Sequence, residues 1–223
     1  MKHVFRLAAV TLIASMAFVI IGCGLFLSSS DFNPSVTSIY IRRDRTVCMA
    51  EVVDFDNSKY SEPRYFESEL REFVYDAIRT YNKAQAGLEY VSVEDTDQQL
   101  PVALVSLEVK DDVARMFIDF ASTTHLLQFY GTTDAVPVRS LIVGTVADGL
   151  NSNLKFENML DEDGASASYD QITDDDDYYL VAVKGDVAVQ TEGDIKYYSK
   201  SLNKKDDNTV VTSGSDVNYI IFK

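Results

Sequence analysis

The sequence predicts an α+β fold: an antiparallel sheet with one main covering helix, followed by a β-rich C-terminal meander. Three observations predict it. A single long stretch, residues 63–86, repeats apolar residues at helical spacing. Elsewhere, short apolar or alternating runs are separated by brief polar turns, as in strands joined by tight connections. No long crossover of the kind that links parallel strands stands between them. Of the 223 residues, 46% are hydrophobic and 11% aromatic, enough for a packed core and inconsistent with wholesale disorder. The formal charge of −15 excludes a broad attraction to nucleic acid or to an anionic lipid surface.

Residues 38–42 (Ser-Ile-Tyr-Ile-Arg) alternate apolar and polar side chains, Arg43-Asp44-Arg45 is turn-like, and residues 46–55 resume as a longer strand. Together they read as a β-hairpin. Ser61-Glu62-Pro63 supplies a capping oxygen, an acid for the first turn and a proline where its missing N–H matters least. Phe66, Leu70, Phe73, Val74, Ala77, Ile78, Tyr81 and Ala84 then form one helix face, and Gly87 ends the helix. Residues 102–109 and 113–120 are strands about the turn Lys110-Asp111-Asp112; the second, apolar on both faces, is expected to be central. Ser122 can cap a short helix from Thr123 to Tyr130 closed by Gly131, and residues 140–146 make a further strand. Past Gly149, residues 161–177 hold eight acids and no base, a solvated loop by composition. Short strands at 178–183, 187–191, 194–199, 209–212 and 218–222 follow. The expected organisation is therefore a leader over residues 1–22, a tether over 23–37, an α+β domain over 38–147, and a β-rich part over 148–223 that belongs to that domain or forms a second, smaller one.

The N-terminus carries an address. Lys2 and Arg6 precede an apolar run over residues 7–21, the parts of an export signal, and the run closes on Ile20-Ile21-Gly22-Cys23. This tetrapeptide resembles the lipobox of bacterial lipoproteins, in which an aliphatic residue, a tolerant position and a small residue precede the modified cysteine. The resemblance implies a diacylglyceryl group on the Cys23 thiol, cleavage before it, and a membrane held as partner through that lipid. Two acyl chains anchor stably, since each buried methylene adds about 0.8 kcal/mol. Leu7 to Leu27 is also 21 residues without a charge, long enough for an uncleaved membrane-spanning helix, the alternative reading. Either way the bulk of the chain lies outside the cytoplasmic membrane. Cleavage leaves 18 basic residues against 35 acidic, a net of −17.

Reactive constellations are sparse. With Cys23 acylated, Cys48 is the one remaining thiol, and its apolar neighbours mark it as a small buried hydrophobe. His125 is the one histidine beyond the leader, and no Gly-x-Ser-x-Gly elbow accompanies it. One histidine and one strand cysteine fall short of a zinc site, and Gly144 and Gly149 precede no phosphate-loop lysine. Asp161, Asp163, Asp174, Asp175, Asp176 and Asp177 are the candidate oxygen ligands for calcium, although the Asp-x-Asx-x-Asx-Gly loop is absent. Tyr178-Tyr179 and Tyr197-Tyr198 are the densest aromatic pairs, read as one residue inward and one outward. No cofactor and no enzymatic activity are expected. The sequence points to a membrane-anchored extracytoplasmic lipoprotein with a binding or structural role toward an envelope component. A calcium- or glycan-dependent adhesion module is the alternative, and a hydrolase the second.

Overall fold

The computed structural model describes residues 32–54, 63–86, 100–131, 137–175, 177–214 and 216–223. Over these residues the chain is α+β, as its patterning predicts, with the strands divided between two sheets. In chain order the elements are β1 (Ser38–Ile41), β2 (Val47–Asp54), α1 (Pro63–Ala86), β3 (Val102–Lys110), β4 (Val113–Phe120), α2 (Thr123–Tyr130), β5 (Val138–Thr145), α3 (Val146–Asn151) and β6 (Met159–Asp161). They continue as α4 (Tyr169–Thr173), β7 (Tyr179–Gly185), β8 (Ala188–Thr191), β9 (Ile195–Ser199), β10 (Asn203–Lys204), β11 (Thr209–Val211) and β12 (Asn218–Phe222). The first sheet runs β10-β11-β8-β1-β2-β4-β3 and the second β5-β7-β12-β9-β6.

Both expected hairpins form. Asp44 accepts from the Thr46 backbone N–H at 2.9 Å and closes the β1–β2 turn. Asp111 and Asp112 both take positive φ, the two-residue turn whose twist suits a hairpin, and β4 lies between β2 and β3 as its two apolar faces require. The C-terminal strands do not stay together as a meander. β8, β10 and β11 join the first sheet, where β8 pairs parallel to β1, while β5 joins the second. Local patterning reads a strand's faces; it does not read a partner 150 positions away.

Alternation sorts the side chains into layers. Ile39, Ile41, Met49, Ile118, Phe120 and Val189 from the first sheet share one core with Leu141, Val181, Val183, Ile220 and Phe222 from the second. Intervening residues of the second sheet, Leu180, Tyr197, Tyr219 and Ile221, point the other way into a smaller cluster with Val146, Phe156 and Ile172. α3 and α4 cover that outer side. A bulge opposite Ile221/Phe222 lets Ile195 face the main core while Tyr197 faces the outer cluster. At Gly185, φ is +148°, and a Cβ would sit 2.0 Å from the Pro137 carbonyl oxygen, so only glycine fits beside β5.

α1 covers the end of the first sheet rather than its middle. Val74 and Ile78 enter the core, with Leu70 and Tyr81 beside them. Asn82, 1% exposed, donates to the Val102 carbonyl at 2.8 Å and accepts from the Val102 N–H at 3.1 Å, and Arg71 donates to the Leu107 carbonyl at 2.7 Å. The helix thereby satisfies backbone groups of edge strand β3, which would otherwise offer pairing to another chain. Contact along one strand needs only a narrow stripe. Phe73, expected on the apolar face, is 72% exposed for that reason. The capping residues Ser61 and Glu62, and Gly87, lie outside the described residues.

Candidate functional site

β6 runs into a turn that its own first acid organises. Asp161 accepts from the N–H groups of Asp163 at 3.1 Å and Ala165 at 2.8 Å, and Gly164 takes the left-handed conformation. α4 follows, where Ser168 and Gln171 bond reciprocally as a capping box and Ile172 is fully buried. The acidic stretch read as a solvated loop is exposed along most of its length, and within it the chain forms this turn and the short helix α4. Its signal was present locally in the Ser-x-x-Gln spacing, masked by the surrounding charge.

Between this turn, α4, β9 and the start of β7 lies a cleft of about 180 Å³, lined by Asp161, Glu162, Asp163, Gln171, Tyr178, Lys196 and Tyr197. Lys196 pairs with Glu162 at 2.7 Å, and the neighbouring carboxylate, by its hydrogen bond first, holds the ammonium pKa above its usual value. Burial, then Tyr178 and the charges of Asp161 and Glu162, raise the Tyr197 phenol pKa, so it stays a neutral donor. The Tyr178 and Tyr197 rings meet edge to face at 5.7 Å and do not make one flat stacking platform. The cleft therefore offers carboxylate acceptors and phenolic donors to a small polar molecule. Its lining has no serine, cysteine or histidine.

The calcium candidates are parted. Asp161 and Asp163 stand in the cleft turn, and Asp174 caps the C-terminus of α4. Asp175 and Asp177 face the Lys223 ammonium at 2.7 and 3.8 Å, and that ammonium also lies over the Tyr178 ring. Asp176 and Cys23 lie outside the described residues. Among the described residues no three Asp, Glu, His or Cys side chains come together as metal ligands, and no helix is long and apolar enough to cross a membrane.

The other singled-out residues have structural partners. His125 Nδ1 lies 3.0 Å from the Tyr81 hydroxyl, which also donates to Gln128. Tyr179 stacks on Phe222 and Tyr198 enters the main core, whereas Tyr178 and Tyr197 face outward, one in and one out as alternation predicts. Cys48 is 1% exposed on the outer face of the first sheet, in register between Tyr40 and Asp119. Burial pushes its thiol pKa well up, the Asp119 charge adds to that, and the Arg42 charge opposes it. Arg42 bonds Asp119 at 2.9 Å and Thr46 at 3.1 Å, with its guanidinium over the Tyr40 ring. For Arg42 itself burial is the largest single influence and downward, yet the charge and hydrogen bond of Asp119, with the charges of Cys48 and Asp44, together outweigh it and the net shift is upward. The Tyr130 hydroxyl is enclosed and makes no hydrogen bond of good geometry, with the Glu51 carboxylate as the polar group beside it; burial, then the Glu51 charge and hydrogen bonding, hold its pKa far above the ordinary value.

No protein family, curated protein or solved structure matches this chain.

Proposed function

We propose that this protein is a lipid-anchored extracytoplasmic protein with a non-catalytic binding role at the cell envelope. The observation that carries the reading is the N-terminal order of basic head, apolar run and Ile20-Ile21-Gly22-Cys23. A binding role is supported by the polar cleft beside β6 and β9, whose lining offers hydrogen-bond acceptors and donors to a small polar molecule. The buried Cys48 thiol and the Tyr81-bonded His125 leave both of those groups engaged elsewhere.

Intact-mass measurement of the membrane-extracted protein tests the proposal. The expected mass lacks residues 1–22 and carries added acyl groups at Cys23, and the Cys23→Ala chain keeps its leader and gains no lipid. A full-length chain beginning at Met1, free in the cytosol and without acyl groups, overturns it. Saturable turnover of a small substrate by the folded body would remove the non-catalytic part alone.

A further inference from the structure

We infer that Phe32 pins the chain to the outer face of the first sheet and so holds the body with that face toward the bilayer and the polar cleft away from it. The inference rests on attachment near Cys23, as proposed above. The Phe32 ring stacks on Tyr40 at 5.2 Å with planes 28° apart, and meets Phe117 edge-on at 5.9 Å. Tyr40 and Phe117 both belong to the face that looks away from the main core, since their neighbours Ile39, Ile41 and Ile118 look into it. The chain is therefore fastened to the folded body from residue 32 rather than from the first strand at Ser38.

Reach then decides orientation. Eight residues, Gly24 to Asp31, separate Cys23 from Phe32, a span of at most about 30 Å when fully extended. A tether free as far as Ser38 would reach about 50 Å. A folded body of this size has a radius of gyration of about 16 Å, hence a diameter of about 40 Å and a path around its surface of about 65 Å. The cleft side chains Tyr178 and Tyr197 belong to the outer side of the second sheet, across the shared core from Phe32. A 30 Å tether fastened at Phe32 cannot pass around the body and bring that side to the membrane. A tether free to Ser38, about 50 Å, still falls short of that path of about 65 Å, so pinning at Phe32 tightens the restriction and a lengthened tether lifts it. Phe32 is thus a positioning residue that keeps a binding cleft open to the space outside the membrane.

Resonance energy transfer from a dye on the protein to acceptor lipids in vesicles tests this on the membrane-extracted chain. One label goes on S106C, an exposed position in register with Phe117, and the other on S166C, an exposed position beside the cleft turn. Buried Cys48 does not compete for the dye. The S106C label is expected to transfer several-fold more strongly than the S166C label. Ten Gly/Ser residues inserted after Ser30, which leave the folded body untouched and bring the reach from Phe32 to about 65 Å, should reduce that ratio at least twofold, and Phe32→Ala should reduce it by less. Equal transfer from the two labels in the parent, or a ratio unmoved by both changes, overturns the inference. The mass of the same sample reports separately on acylation at Cys23. An uncleaved chain refutes the lipid but leaves the ratio decisive here, because an apolar run ending at Leu27 attaches even closer to Phe32.

Discussion

Removing Asp119 should destabilise the fold far more than removing a surface acid, because of where its partner sits. The Arg42 and Asp119 side chains are 9% and 16% exposed, with Nη2 and Oδ1 2.9 Å apart. Charges about 4 Å apart at an effective dielectric near 20 attract by about 4 kcal/mol, most of which offsets the desolvation of both groups. Asp119→Ala cancels the attraction and leaves the guanidinium enclosed, with Thr46 Oγ1 as its remaining acceptor. Loss of one partner of a buried pair costs roughly 3–5 kcal/mol; the residual exposure here brings the expectation to about 3 kcal/mol. The control is Asp76→Ala, whose pair with Arg79 is 71% and 67% exposed and should contribute within about 0.5 kcal/mol. Urea denaturation of the chain from residue 31, with a slope of about 2 kcal/mol/M, would put the Asp119→Ala midpoint roughly 1.5 M below the parent. Arg42→Met with Asp119→Ala removes the stranded charge and should recover at least half of the loss. Equal midpoints for Asp119→Ala and Asp76→Ala, or no recovery in the double variant, would refute the reasoning.

Tyr130→Phe deletes an enclosed hydroxyl that lacks a well-formed hydrogen bond and should stabilise by about 1 kcal/mol, read as a higher urea midpoint; a lower midpoint would mean that Glu51 serves as its partner in solution. The Cys48 thiol should resist a maleimide at pH 8 in the native protein and react promptly in urea, since burial both shields it and raises its pKa. Its sign follows: the folded thiol stays protonated where the unfolded one ionises, so Cys48 makes stability decline as pH rises above about 8.5, and Cys48→Ala should flatten that decline. Asp148 accepts from the Thr145 N–H in the α3 capping box and pairs with exposed Arg45, and those bonds, Thr145's first, lower its pKa. Its contribution is therefore present above the ordinary carboxylate value near 3.9 and lost as pH falls below it. Asp148→Ala should cost about 1 kcal/mol at pH 7 and progressively less at pH 3 and below, and an equal cost at both pH values would count against the capping role.

What the sequence alone determined is everything that local chemistry enforces. The α2 helix begins at Ser122 and ends at Gly131 as its capping residues dictate, since each satisfies backbone groups within one turn of itself. The Asp111-Asp112 turn, the faces of each strand and the in–out split of both tyrosine pairs follow likewise from dihedral preferences and a period of two. Tertiary structure decided which strands share a sheet, that α1 guards an edge through the buried Asn82, and that a bulge at β9 carries Lys196 and Tyr197 to the cleft. Asp161, Glu162 and Asp163 were visible as acids, Tyr178 and Tyr197 as members of split pairs and Gln171 as half of a capping box, but nothing in the residues around them or around Lys196 brought them into one cleft. Nor did the Arg42–Asp119 pair, whose members stand 77 positions apart. The physical reason is range: capping, turns and alternation act within a few residues, whereas sheet order and clefts are settled by burial of apolar surface summed over the whole chain.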